Sequence, residues 1–414
     1  MTTHVVGAGL AGLSAATALA RAGRSVEVSE AAAQAGGRCR SYFDPQLELV
    51  IDNGNHLVLS GNRAVMDYLN AIGAEDALAG PERAEFDWMD VRSGSRWRLR
   101  PNEGPLPWWI AAPARRVPGT KAGDYLALTP LTRAQPGKRV DQVMACQGVL
   151  WERLMQPFLL AALNTEPEAG SADLAGAVVR ETLARGGAAY RPRIAHPTLA
   201  QAFVEPAVAT LETAGVPVRL GRRLRRIRYE GQRASALEFA DTTVELGPDD
   251  AVVLAVPPWV ARELVPDLTT PDEFRAIVNA HYRLAPPEGA PAMVGVIGGV
   301  AEWVFAFEDR LSVTVSGADR LVDKDREDLA RTLWKDVAAV HRLDPDALPP
   351  WQIVKEKRAT FAATPEQDAK RPKATTAFSN LILAGDWTKT GLPATIEGAL
   401  RSGATAARLR LGAR

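Results

Sequence analysis

Two cysteines in 414 residues are too few for a disulfide framework or a cysteine-rich metal site, which fits a reducing compartment. Each of them, Cys39 and Cys146, reads as a small buried hydrophobe rather than a nucleophile. Net charge is missing as well: 49 Lys and Arg balance 49 Asp and Glu, so no overall field draws the chain to nucleic acid. The densest basic cluster, Arg222, Arg223, Arg225, Arg226 and Arg228, follows a strand pattern without interleaved aromatics and reads as a solvated strand face. No apolar run reaches the roughly 18 residues of a spanning helix, and the first residues, MTTHVVGAGLAGLSAA, lack the basic leader of a secretory signal. A cytoplasmic protein is expected, peripheral at most to the inner face of the cell membrane. There is no GxSxG elbow, Walker A loop or HExxH helix, and five scattered histidines offer no metal site.

What is present is a globular chain, 46% hydrophobic, long enough for two or three units at about 150 residues each. His4-Val5-Val6 reads as a buried strand that runs into Gly7-Ala8-Gly9-Leu10-Ala11-Gly12, and an alanine-rich helix follows to about Arg21 with Gly23 as its C-cap. Ser25 to Ser29 is a second strand ending at Glu30. In this βαβ order Gly7 permits a tight turn, Gly9 lets backbone approach a pyrophosphate, and Gly12 allows close packing of a helix whose N-terminus attracts the anion. Glu30 is placed to accept hydrogen bonds from ribose hydroxyls, which favours an unphosphorylated ribose. Six residues on, Gly36-Gly37-Arg38 adds backbone contact and a bidentate donor for phosphate.

GAGLAG, Glu30 and GGR together resemble the N-terminal signature of the FAD-dependent amine oxidase and carotenoid desaturase superfamily. The resemblance implies an α/β protein, with a Rossmann-type, glutathione reductase-like FAD domain and a second α+β substrate domain. The FAD domain is expected from residues 1–62, 198–258 and 374–414, and the substrate domain from 63–197 and 259–373. Near the C-terminus, Leu381 to Ala384 reads as a strand, Gly385-Asp386 ends it, and Ala394-Thr395-Ile396 opens a helix. By resemblance Asp386 holds the ribityl or phosphate region, and Thr395 and Ile396 lie on the pyrimidine side of a flavin. The cofactor-binding set also takes in Leu10, Ala11, Ala31, Asn53, Gly54, Ala394 and, near adenine, Leu224. No cysteine lies in the last segment, so the flavin should be non-covalent. Asp325 to Arg342 is an amphipathic helix of the substrate domain.

In LVIDNGNHLVLSG, residues 49–61, Asn53-Gly54 between two apolar runs is a strong hairpin signal. The order of GAGLAG, GGR, DNGNH and GDWTKTGLPATIEGA is most similar to the hydroxysqualene dehydroxylase family of bacterial hopanoid pathways, whose usual DNGQH is DNGNH here. That resemblance implies reduction of an allylic triterpene alcohol to squalene with reduced FAD, in a dry pocket for a long apolar isoprenoid. Asp52 and His56 are candidates for the proton donor or its orienter, a nearby carboxylate raising the histidine's pKa; the alternative is that they only support the flavin wall. A carotenoid desaturase, a flavin amine oxidase, and a prenyl-binding module like the GDP-dissociation inhibitors are the rival readings. Trp108-Trp109 beside Arg115-Arg116 suits a peripheral membrane contact. No motif identifies an electron donor.

Overall fold

The computed structural model describes residues 1–412. A five-stranded parallel sheet runs Val218–Arg219, Ser25–Ser29, Thr2–Val6, Ala251–Leu254, Leu381–Leu383. Helices cover the face that carries Val5 and Val253, and the three-stranded antiparallel sheet of Leu224–Glu230, Arg233–Phe239 and Thr243–Glu245 packs on the face that carries Val6, Val252 and Leu254. The helix Leu10–Arg21 ends at Ala22, and Gly23 follows at φ 71°. It packs on the C-terminal helix Ile396–Leu411 so closely that a Cβ on Gly403 would lie 2.2 Å from the Ala11 carbonyl oxygen. The helix Arg63–Ala71 shares this core, its Val65 and Leu69 clustering with Leu13, Val28 and Leu400, so the first core reaches past residue 62.

A seven-stranded sheet forms the other body, in the order Trp351–Phe361, Phe274–Tyr282, Leu311–Val315, Trp303–Ala306, Met293–Ile297, Phe86–Asp90, Arg96–Leu99. All its neighbours are antiparallel except Met293–Ile297 beside Phe86–Asp90. The two-residue alternation divides its faces. Val304, Val313 and Val315 pack under the helix Arg326–His341, which Asp325 caps through the N–H groups of Glu327 and Asp328. Trp303, Phe305 and Thr314 face a cavity on the other side. Among the described residues no helix is long and apolar enough to cross a membrane.

The Asn53-Gly54 hairpin does not form. Leu49–Asp52 pairs backwards with Ser41–Asp44, and Leu57–Leu59 pairs with Pro192–Ala195 in a different sheet. Neither Asn53 nor Gly54 has positive φ. Tertiary contacts override the turn preference: Asn53 is buried, its carbonyl accepts from Asn279 Nδ2, and a Cβ on Gly54 would come within 3.0 Å of that nitrogen. The segment crosses between sheets and delivers Asn55 and His56 to the cavity wall.

Candidate active site

The N-terminal motif builds an anion cradle. Gly7 has φ 106°, and a Cβ there would meet the Ala255 carbonyl oxygen at 2.3 Å; one on Gly12 would lie 1.8 Å from the Gly7 oxygen. A Cβ on Gly9 would meet nothing within 4 Å. No side chain caps the helix at Gly9, so the N–H groups of its first turn, at Leu10, Ala11 and Gly12, are free to face an anionic ligand. Glu30 sits beside them, accepting from the N–H groups of Ala8 (2.7 Å) and Ala32 (2.8 Å). Backbone bonds from Gly221 N–H to Ala32 and from Arg222 N–H to Glu30 bring the start of the Leu224–Glu230 strand against Glu30 and Ala31.

Gly36 donates its N–H to the Ala8 carbonyl, which returns the GGR segment to the glycine turn. Arg38 is committed within the protein: Nη1 donates to the Ala359 carbonyl and Nη2 to Asp386 Oδ1, both at 2.6 Å. Two residues singled out at opposite ends of the sequence thus form one ion pair. Gly385 has φ 148°, and a Cβ there would lie 2.4 Å from Trp387 Nε1. Thr395 caps the last helix through the Gly398 N–H, and Ala394, Thr395 and Ile396 line the large cavity together with Asn55 and His56. An uncapped helix start, an acidic residue at the strand end and a second helix N-terminus at the cavity edge fit the two ends of FAD.

Asp52 and His56 are not brought together. Asp52 is sealed behind the wall: Oδ1 accepts from Ser41 Oγ (2.6 Å) and Leu199 N–H (2.9 Å), and Oδ2 is 3.8 Å from buried Arg310. His56 lines the cavity, but burial and then the charge of Arg38 push its pKa down to about 4. The expected carboxylate partner is on the far side of the wall, so the imidazole is neutral, contrary to the expectation of a protonated His56. Arg310 also stands near His281, which is fully buried with its Nδ1 2.8 Å from Ser312 Oγ and its pKa pushed down to about 3, by burial first and Arg310 second. As pH falls below 6.5 the unfolded chain protonates His281 while the folded chain does not, so stability should fall by up to about 1.4 kcal/mol per pH unit in that window. Urea midpoints at pH 7.5 and 5 test this: His281→Asn should reduce the drop, and equal drops in both chains would refute it.

The cavity, about 470 Å³, lies between the large sheet and the helices Gln156–Leu163 and Ala172–Glu181. Leu57, Phe86, Trp88, Phe158, Val179, Trp303 and Phe305 give it an apolar wall, with Trp88 edge-on to Trp303 at 5.1 Å. Two of its amides donate to hydroxyls, Asn55 Nδ2 to Thr314 Oγ1 (3.1 Å) and Asn164 Nδ2 to Thr360 Oγ1 (2.9 Å), while the buried Asn55 Oδ1 has no partner. Trp108 and Trp109 part company. Trp109 is buried in the cavity wall, edge-on to Tyr125 with its backbone N–H donating to Asn102 Oδ1, so it is no surface anchor; Trp108 is exposed under Arg115.

Three features escaped the sequence reading. Glu181 and Glu397 line the cavity, but Arg401 holds Glu181 through both nitrogens, and Glu397 accepts from Arg401 and from the N–H groups of Ala64 and Val65. Glu302 bonds the Ser316 N–H at 2.7 Å just behind the wall, and burial raises its pKa to about 7 against hydrogen bonds from Ser316. A single glutamate in the apolar run GVAEWVFAF was the available signal.

A model of the flavin-containing amine oxidoreductases matches residues 10–285 and 298–409. The chain is 58% identical to a hydroxysqualene dehydroxylase of Rhodopseudomonas palustris, across 100% of this chain and 99% of that protein. It is 53% identical to one of Sinorhizobium fredii, across 99% and 98%. Cyclohexylamine oxidase of Brevibacterium oxydans shares the fold at TM-score 0.71, with 15% identity over 99% of this chain and 98% of that one.

Proposed function

The chain belongs to the flavin-containing amine oxidoreductase family, and within it to the hydroxysqualene dehydroxylases; from that membership we propose that it reduces hydroxysqualene to squalene, releasing the allylic hydroxyl as water. The cofactor is FAD, which when bound in its reduced form supplies the hydride. The first-turn N–H groups at Leu10 to Gly12 and Glu30 would hold its nucleotide half, and the Arg38–Asp386 pair and the helix start at Thr395-Ile396 its flavin half.

The cavity carries the reading. Its size suits a ligand site of the usual 300–1,000 Å³, its wall is hydrocarbon, and both lining carboxylates are neutralised by Arg401 or backbone donors. An amine would need a free carboxylate or a comparable anchor there, whereas a triterpene needs none. The apolar wall excludes water that would recapture an allylic cation, and the faces of Trp88, Trp303 and Phe305 stabilise positive charge on carbon. Departure of the hydroxyl as water needs a proton. Neutral His56 is a poor source, and we assign it to holding the wall. Glu302, half protonated near pH 7, can pass a proton by way of Ser316, a residue that lines the cavity.

The direct test is anaerobic. Dithionite-reduced protein mixed with hydroxysqualene should reoxidise its flavin and release squalene, identified by mass spectrometry. Flavin that stays reduced, with the alcohol recovered intact, would overturn the proposal.

A further inference from the structure

Three pairs of neighbouring residues divide across one wall of the cavity. Pro107, Trp109 and Tyr125 face inward and line it. Leu106, Trp108 and Leu126, each adjacent in sequence to one of them, point outward and are 77%, 61% and 70% exposed. Leu106, just before the turn Trp108–Ala111, Trp108 within it and Leu126 within Ala122–Arg133 sit on segments joined by the Trp109–Tyr125 contact, which places the three outward side chains on the outer side of the same wall. Exposing three large apolar side chains on the outside of an apolar cavity gains nothing for a protein surrounded only by water.

The charge around the patch selects its partner. Residues 100–141 carry seven Lys and Arg against three Asp and Glu, in a chain with no net charge. Lys121, Arg133 and Lys138 are exposed, Arg139 is held by Asp141, and Arg115 lies over the Trp108 ring at 4.7 Å. Apolar tips with an aromatic ring at their base and a basic surround match an anionic bilayer surface, where the tips enter the acyl boundary and the cations meet headgroup phosphates.

We infer that this face docks on an anionic membrane and takes the isoprenoid into the cavity directly from the bilayer. The uptake half of the inference rests on the proposed function; the docking half does not. A hydrocarbon-like substrate is then spared transfer through water, and the wall between Trp108 and Trp109 separates lipid from active site.

Vesicle flotation of the FAD-loaded protein tests the docking without any substrate. Wild type should float with phosphatidylglycerol/phosphatidylcholine vesicles and lose that binding with phosphatidylcholine alone or with added salt. Leu106→Ser/Trp108→Ser/Leu126→Ser, and separately Lys121→Glu/Arg133→Glu/Lys138→Glu, should each lower the bound fraction about tenfold or more while retaining the flavin. With hydroxysqualene embedded in the vesicles both variants should turn over slowly, and with detergent-dispersed substrate they should match wild type. Equal flotation of variants and wild type, or equal binding to neutral vesicles, would overturn the inference. So would self-association of wild type that the variants abolish without any vesicle binding, since the patch would then join two copies of the chain. Loss of turnover in detergent by wild type would count against the reaction and leave the docking result standing.

Discussion

Gly9→Val should give a folded, colourless protein that binds FAD at least about 1,000-fold more weakly than the parent, a loss of about 4 kcal/mol. Gly9 sits at φ −74°, ψ 176°, a conformation open to any residue, and a Cβ there meets no protein atom within 4 Å. The fold therefore tolerates the side chain, while the added methyls fill the approach to the uncapped N–H groups. Gly12→Ala makes the contrast. Its Cβ would lie 1.8 Å from the Gly7 carbonyl, and Gly7 is itself wedged against Ala255, so the turn cannot yield without disturbing the parallel sheet. Gly12→Ala should lose melting temperature and flavin together, and Gly9→Val flavin alone. Flavin absorbance with circular dichroism melts would separate them, and a yellow Gly9→Val protein would refute the assignment of the cradle.

The same contrast shows which parts of the molecule a sequence exposes. The βαβ start was readable because its requirements are local: a strand, three glycines at fixed spacing and a helix are contiguous in the chain. The last helix was readable for the same reason. Asn53-Gly54 misled because its backbone is fixed by Asn279, a residue 226 positions away. The Arg38–Asp386 pair spans 348 positions, and no spacing rule connects its ends. Asp52 and His56 are four residues apart, yet a chain crossing between two sheets puts one behind the wall and the other on it. Trp108 and Trp109 differ only in which side of a tight turn each takes. Composition named the right residue types in both cases, and long-range packing decided which of them reached the cavity.

That division makes Glu302 the residue on which the chemistry turns most sharply. Its carboxyl is fixed by the Ser316 N–H and raised to about 7, burial outweighing its hydrogen bonds, so it is protonated below that pH and ionised above it. If it supplies the proton through Ser316, kcat should be level at acidic pH and fall about tenfold per unit above pH 7. Glu302→Gln keeps the shape and the bond from Ser316 but has no proton to give; kcat should drop about 100-fold, within the usual range for a general acid, and the fall above pH 7 should disappear. KM should change little, because the Glu302 side chain is not part of the cavity wall. His56→Gln provides the control. With its imidazole already neutral down to about pH 4, that variant should keep the break near pH 7 whatever its effect on flavin affinity. A Glu302→Gln protein with parental kcat, or one that retains the break near pH 7, would overturn the assignment of the proton to Glu302.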